Sequence, residues 1–116
     1  MKMLIGFILV LSLTACVSLQ DLRNGKPDLT VSSDKPVNIV SNCILTNWQK
    51  SAFRYGNVFI QDNINLADGK TVYSESQSEM SDVYTVNGHA KVDFYHQKAL
   101  FFYRVNERIT SIKECI

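Results

Sequence analysis

The side chains best suited to acid/base or metal chemistry are two histidines, His89 and His96, with Asp93 and Tyr95 between them. Imidazole titrates near neutral pH and binds transition metals, so a histidine pair could serve either purpose. An odd number of positions separates the two histidines, and on a regular strand that spacing places them on opposite faces. The side chains of neighbouring residues such as Tyr95 and His96 also point to opposite faces of a strand. We therefore expect neither a shared metal nor a catalytic histidine.

Motifs that serve well-characterised reactions are missing from the chain. No P-loop, G-x-G-x-x-G, G-x-S-x-G or H-E-x-x-H pattern occurs. The usual mechanisms for binding phosphate or dinucleotides, and for acyl or zinc chemistry, therefore have no residues to act through. We predict that the protein is not an enzyme and uses no cofactor, with an enzyme of unknown type as the least favoured alternative.

The beginning of the chain has the pattern of a targeting signal. Met1-Lys2-Met3 supplies a positive charge, an apolar run extends from Leu4 to Leu13, and small residues precede Cys16. This order is typical of a secretory signal peptide. The apolar run is about half of the roughly twenty residues that a helix needs to span a bilayer. The sequence therefore predicts a signal peptide at residues 1–15 and no transmembrane anchor.

Leu13-Thr14-Ala15-Cys16 resembles the lipobox of bacterial lipoproteins, in which leucine stands three positions before the modified cysteine. The resemblance implies cleavage before Cys16, a diacylglycerol on its sulfur and a fatty acid such as palmitate on its new amino group. Several chains make such an anchor stable. Val17 and Ser18 follow where an aspartate would resemble an inner-membrane retention signal, so the resemblance implies an outer-membrane lipoprotein facing the periplasm. An ordinary signal peptide that ends near a cysteine is the alternative.

The domain organisation follows from composition and charge. Residues 16–30 are polar, and their apolar residues do not recur at helical or strand spacing. This composition predicts a lipidated tether with an end-to-end distance of about 20 Å. Residues 31–116 are long enough for one domain. The sequence has 12 basic and 11 acidic side chains, of which Lys2 belongs to the signal peptide. The remaining charges balance and are dispersed, so we expect no nucleic-acid partner.

Two cysteines remain once Cys16 is assigned to lipid. Cys43 and Cys115 would lie in a compartment that oxidises thiols, and two cysteines allow a single connectivity. We predict a Cys43–Cys115 disulfide. A metal-binding or redox pair would need closer spacing or more ligands than the sequence offers.

Hydrophobic spacing predicts an α+β fold, with an N-terminal helix packed on an antiparallel β-meander of about five strands, a short C-terminal helix and one disulfide. Val37, Val40, Ile44 and Trp48 recur at helical steps, which predicts a helix over residues 36–51. Alternation then predicts strands at 58–61, 71–75, 82–86, 90–96 and 99–105. A final helix is predicted at 107–115, with an edge strand as the alternative. Residues 74–81 are polar and are predicted to include the least ordered loop.

Aromatic side chains on the predicted strands indicate a binding surface. If one sheet face covers the helix, the other carries Tyr84, Tyr95, Phe101 and Tyr103, with Arg104 nearby. Aromatic residues with arginine are enriched at interface hot spots. We predict that these five residues bind a protein partner. The alternative is that the terminal segment, or a strongly curled sheet, covers the second face.

The predicted function is that of a small periplasmic lipoprotein, tethered to the membrane through lipid on Cys16, that binds an envelope or periplasmic protein. Inhibitors, immunity proteins and receptor-blocking lipoproteins are of this type. The placement of Cys43 and Cys115 is similar to that in lysozyme-inhibitor lipoproteins. The Ser-Gly-x-x-Tyr-like inhibitory segment of that family is not present, and Cys43 falls in a predicted helix. The alternative function is a structural or accessory subunit of an envelope assembly.

Overall fold

A five-stranded antiparallel sheet forms the centre of the structure, a computed structural model that describes residues 18–116. The predicted signal peptide at 1–15 and the predicted lipidation site Cys16 lie outside the described residues. In chain order the elements are α1 Leu19–Arg23, β1 Leu29–Ser33, α2 Val37–Gln49, α3 Ala52–Tyr55, β2 Val58–Asn63, β3 Gly69–Ser74, β4 Glu79–Val86, β5 His89–His96 and α4 Phe102–Lys113.

The sheet has the order β1-β5-β4-β3-β2. Strands β2 to β5 form the predicted meander, and β1 pairs with β5 along its free edge. The β4–β5 connection is the two-residue turn Asn87-Gly88, in which both residues have positive φ, 52° and 84°. A type I′ hairpin turn requires this conformation, and asparagine followed by glycine adopts it at least cost. The turn sets the register that places Val83 opposite Val92 in the core.

The core lies between one face of the sheet and the helices α2 and α4. Helix α2 buries the predicted stripe of Val37, Val40, Ile44 and Trp48, and the Trp48 ring meets Phe94 of β5 edge-on at a centroid distance of 5.9 Å. Helix α4 adds a second stripe that includes Ile112. The Cys43–Cys115 disulfide joins α2 to the residues after α4, across a sequence separation of 72. The predicted fold class and disulfide are both confirmed.

The predicted strand at 99–105 is wrong. Those residues form the end of the loop after β5 and the first turn of α4, which extends the predicted C-terminal helix toward the N-terminus to Phe102. The alternating aromatic residues suggested a strand, but burial of Val105, Arg108 and Ile112 follows the helical period. The fifth strand is instead β1, in which Val31 packs against the core while its neighbours Thr30 and Ser32 are exposed.

The described part of the predicted tether at 16–30 is also structured. Ser18 caps α1 through a capping box, because its hydroxyl accepts from the Asp21 amide and the Asp21 carboxylate accepts from the Ser18 amide. Residues 29 and 30 belong to β1. The polar composition concealed these elements because α1 buries none of its own residues.

The predicted loop at 74–81 contains a turn followed by the start of β4. The Ser74 hydroxyl accepts hydrogen bonds from the amides of Ser78 and Glu79, at 3.1 and 3.4 Å. Ser74, Ser78 and Glu79 are all buried. Serine hydroxyls therefore satisfy the backbone of a segment whose polarity had indicated disorder.

Opening the disulfide should lower stability markedly. By the chain-entropy estimate, a bridge across 72 positions contributes about 4 kcal/mol. Urea unfolding of Cys43→Ala/Cys115→Ala should show a loss of that order, and Cys43→Ala alone, which opens the same bridge, should match it. A loss below about 1 kcal/mol would contradict a constraining role for the bridge.

Candidate functional site

The five predicted partner-binding residues lie in two separate places. Tyr84 on β4 and Tyr95 on β5 are on the outer face of the sheet, which is the face turned away from α2 and α4. Phe101 precedes α4, and Tyr103 and Arg104 lie in its first turn. A single face holding all five does not form, because residues 99–105 are not a strand.

Helix α1 covers the outer face near Tyr95. Arg23, at the end of α1, donates two hydrogen bonds to the buried carboxylate of Asp82, from Nε at 2.7 Å and from Nη2 at 2.8 Å. Thr71 also donates to Asp82, at 2.7 Å. Tyr95 is only 7% exposed, and the Tyr84 hydroxyl donates to Asp93 at 2.8 Å. Helix α1 thus covers this part of the face, and Tyr95 is unable to contact a partner while α1 is docked.

The four most exposed aromatic side chains of the described residues gather at one end of the molecule. They are Phe53 in α3, which is fully exposed, and Phe101, Phe102 and Tyr103, with exposed fractions of 69%, 76% and 49%. The Phe101 and Tyr103 rings stack at 5.5 Å with an interplanar angle of 11°. We call these four residues the aromatic end.

The aromatic end lies where β3 and β5 finish and β2 and β4 begin. The register sets Glu79 opposite His96 and Val58 opposite Ser74 at this end of the sheet, and α3 and the start of α4 flank it. The opposite end carries the β2–β3 and β4–β5 turns. Large exposed apolar residues at or near that end are aliphatic, namely Ile39, Ile64, Val86 and Ile116. The four most exposed rings thus lie at one end of the domain, whereas Phe59 of β2, which is 45% exposed, contacts Tyr73 of β3.

Tyr55 fastens α3 to α4 at the aromatic end. Its hydroxyl donates to Glu107 at 2.8 Å, and Arg54 forms an ion pair with the same carboxylate at 3.2 Å. The Arg104 guanidinium lies over the Tyr55 ring, 4.7 Å from its centroid. Burial, followed by the hydrogen bond to Glu107, raises the pKa of Tyr55, so its hydroxyl stays protonated and remains a donor. Phe53 is therefore carried on a helix that is held against α4.

The buried carboxylate of Glu79 pairs with two arginines of α4. Glu79 is the first residue of β4 and is 0% exposed. It accepts two hydrogen bonds from Arg104, from Nε at 2.8 Å and from Nη2 at 2.6 Å, and Arg108 Nε lies 3.4 Å away. Burial raises the pKa of Glu79, but the Arg104 hydrogen bonds and the Arg108 charge outweigh it and leave the pKa below its ordinary value. Glu79 is therefore ionised at neutral pH.

Arg108 links this carboxylate to α2. Its Nη1 donates to the Trp48 carbonyl at 3.1 Å, and Trp48 Nε1 donates to the Arg108 carbonyl at 3.2 Å. The guanidinium also lies over the Trp48 ring at 4.9 Å, a favourable contact between a cation and an aromatic face. Burial lowers the pKa of Arg108. The orientation of α4 is thus set by contacts with both β4 and α2.

Sequence reasoning identified Phe101, Tyr103 and Arg104 but missed Phe53, Phe102 and Glu79. A usable signal existed for Phe102, because three consecutive aromatic residues cannot all face one core, whether they form a strand or a helix. Phe53 lies in a helix of four residues, which is too short to show a periodic pattern of apolar side chains. Glu79 lies in a serine-rich segment, and its arginine partners come 25 or more positions later, so local sequence gives no signal for its burial.

Metal and membrane-spanning features are not found in the described part of the chain. Within residues 18–116, no cluster of three or more His, Cys, Asp or Glu side chains could hold a metal ion. His89 and His96 each approach one aspartate, at 3.6 Å, at opposite ends of β5. No helix in the same range is both long and apolar enough to cross a bilayer.

Comparison of the chain with protein-family models, curated proteins and solved structures finds no significant match.

Replacing Glu79 should destabilise the domain through Arg104 and Arg108. Glu79→Gln keeps the side-chain shape but leaves two guanidinium groups without their counter-charge, which costs about 3–5 kcal/mol for a buried pair. The matched control is Glu107→Gln, which removes the exposed ion pair with Arg54 but keeps an oxygen that can accept from Tyr55. Its cost should be less than about 1 kcal/mol. Urea unfolding measures both, and equal losses would contradict a special role for Glu79.

Acid should weaken the same interaction. Because the folded pKa of Glu79 is lowered, its ionised form stabilises the fold above the unfolded-chain pKa of about 4.3. This stabilisation is lost as pH falls through the folded pKa. Between pH 6 and pH 3, the free energy of unfolding should therefore fall more steeply for the wild type than for Glu79→Gln. Parallel curves would contradict the assignment.

Proposed function

We propose that this protein is a lipid-anchored, non-enzymatic protein-binding module of the bacterial envelope, and that it recognises its partner through the aromatic end. The observation that carries the proposal is the concentration of four exposed aromatic side chains at one end of the domain. Exposed apolar surface of this kind marks interaction sites, since an isolated domain gains nothing by exposing it.

The composition of the aromatic end fits a protein interface. Phenylalanine, tyrosine and arginine are enriched at the centres of interfaces, and each aromatic side chain can bury about 150–250 Å². Arg54, with a side chain 58% exposed, borders the rings and can reach a partner. Arg104 is held by Glu79 and serves to position the helix.

Rigid support favours tight binding by this surface. The backbone of Phe101, Phe102 and Tyr103 is fixed at the start of α4, where Arg104 is bound to the buried Glu79 carboxylate. Side chains that are ordered before binding lose less entropy when the complex forms. The aromatic end thus combines apolar area with pre-organisation, which is the arrangement expected of an inhibitor, an immunity protein or a receptor-blocking protein.

The anchor and the location rest on the N-terminal sequence. The lipobox-like Leu13-Thr14-Ala15-Cys16 supports lipidation of Cys16 and an outer-membrane, periplasm-facing position. The Cys43–Cys115 disulfide supports an oxidising compartment. The lack of a catalytic or cofactor motif in the sequence supports a binding role.

Affinity capture from envelope extract tests the proposal. The bait is a soluble version that begins at Ser18, and the test variant is Phe101→Ala/Phe102→Ala. The matched control is Ile39→Ala/Ile64→Ala, which removes exposed apolar side chains near the opposite end. A specific protein should be retained by the wild type and by the control, and bound at least about tenfold more weakly by the aromatic variant.

Two results would contradict the proposal. One is a partner held equally by the wild type and the Phe101→Ala/Phe102→Ala variant, which would place recognition elsewhere. The other is a partner lost from the Ile39→Ala/Ile64→Ala control alone, which would assign recognition to the aliphatic end. Circular dichroism of each bait confirms that the variants are folded.

A further inference from the structure

The folded domain includes the second residue after the cysteine that the lipobox designates. Ser18 is already the N-cap of α1, and two residues of fully extended chain span at most about 7 Å. The separation between lipid and domain is therefore much shorter than the predicted tether of about 20 Å. The separation stays short only while α1 is docked on the sheet.

Docking of α1 depends on Arg23 together with the half-buried side chains of Leu19 and Leu22. A five-residue helix is far too short to be stable alone, and α1 has no fully buried residue. Arg23 supplies its attachment, through two hydrogen bonds to Asp82, one to Thr71 at 3.3 Å and a contact with the Met80 sulfur at 3.7 Å. Loss of Arg23 should free the helix without opening the core on the other face.

The docked helix lies next to the chain that leads into the aromatic end. Leu22 of α1 lines a cleft of about 520 Å³ together with Tyr95 and Lys98. Asp28, between α1 and β1, accepts hydrogen bonds from the His96 amide at 2.9 Å and from Lys98 at 2.7 Å. Only two residues separate Lys98 from Phe101. Helix α1 and the turn that follows it are thus neighbours of the chain that leads into the aromatic end.

We propose that docked α1 holds the domain against the bilayer, so that the aromatic end recognises a membrane-embedded protein at the bilayer surface. This inference rests on the proposed function, specifically on lipidation of Cys16 and protein binding by the aromatic end. A membrane-embedded partner fits because a short connection confines the aromatic end to the layer of space next to the lipid headgroups. Within that layer its effective concentration is highest toward proteins in the same membrane.

Release of α1 would remove this confinement. The connection would then run from Cys16 to Asp28, where the chain joins the sheet, and could reach about 40 Å when fully extended. The domain would sample a much larger volume, and its effective concentration toward a membrane partner would fall. The height of the domain above the bilayer is therefore the quantity to measure.

Energy transfer from Trp48, the only tryptophan, to dansyl-labelled lipid measures that height. The full-length lipidated protein is inserted into vesicles of phosphatidylethanolamine and phosphatidylglycerol. Transfer should be strong in the wild type and should fall at least twofold in Arg23→Ala. The matched control is Lys70→Ala, which removes an exposed ion pair with Asp62 and should leave transfer unchanged. A second variant, with ten Gly/Ser residues inserted between Val17 and Ser18, keeps α1 docked and should also lower transfer.

Equal transfer in the wild type, Arg23→Ala and the insertion variant would overturn the inference, as would weak transfer in the wild type. Mass spectrometry of the same protein distinguishes this failure from failure of the proposed function. An unmodified Cys16 would remove the anchor itself. A lipidated Cys16 with unchanged transfer would reject only the holding role of α1.

The partner class is tested by a photo-crosslinking amino acid placed at Phe101 of the lipidated protein in cells. Mass spectrometry of the adduct identifies the crosslinked protein. The inference expects this protein, in cells that were not crosslinked, to stay in membranes after an alkaline carbonate wash, and expects the adduct to weaken several-fold with the ten-residue insertion. A crosslinked protein that carbonate releases from uncrosslinked cells would overturn the membrane-embedded partner while leaving protein binding intact. Adducts with lipid alone would overturn both the inference and the proposed recognition surface.

Discussion

Burial of the Glu79 carboxylate is the constraint on which the position of the aromatic end depends. A charge removed from water is costly unless it is paired and hydrogen-bonded. At the start of β4 only Arg104 and Arg108 provide that pairing, and both belong to α4. The strand can therefore keep its charge only if α4 lies across this end of the sheet. The aromatic residues just before and within the first turn of α4 are consequently placed at the surface.

The two faces of the sheet are stabilised in different ways. On the inner face, Trp48 and Phe94 pack within an apolar core, and the Cys43–Cys115 disulfide closes it. On the outer face, α1 is attached mainly through Arg23 and Asp82. The first arrangement provides a rigid platform for the aromatic end. The attachment of α1 involves few residues on the outer face, and it determines how closely the start of the domain approaches the lipid anchor that we propose at Cys16.

Sequence reasoning was accurate where a pattern repeats locally. The stripe of α2, the meander of β2 to β5 and the turn at Asn87-Gly88 have local signals. The disulfide was predictable for another reason, because only two cysteines remain once Cys16 is assigned to lipid. It failed at β1 and α1, whose stability comes from pairing with β5 and from one ion pair with β4 rather than from their own composition. It failed also at residues 99–105, where aromatic alternation indicated a strand and tertiary pairing of Arg104 with Glu79 favoured a helix.

The same limit applies to the candidate site. Aromatic and arginine content pointed to a binding surface, and Phe101, Tyr103 and Arg104 lie at the aromatic end. Tyr84 and Tyr95 are held on the outer face instead, so the five residues do not form the single surface that composition predicted. Hydrogen–deuterium exchange of the domain, free and bound to its captured partner, tests the central claim most directly. The account predicts protection confined to α3 and the first turn of α4, and protection at the β2–β3 and β4–β5 turns would contradict it.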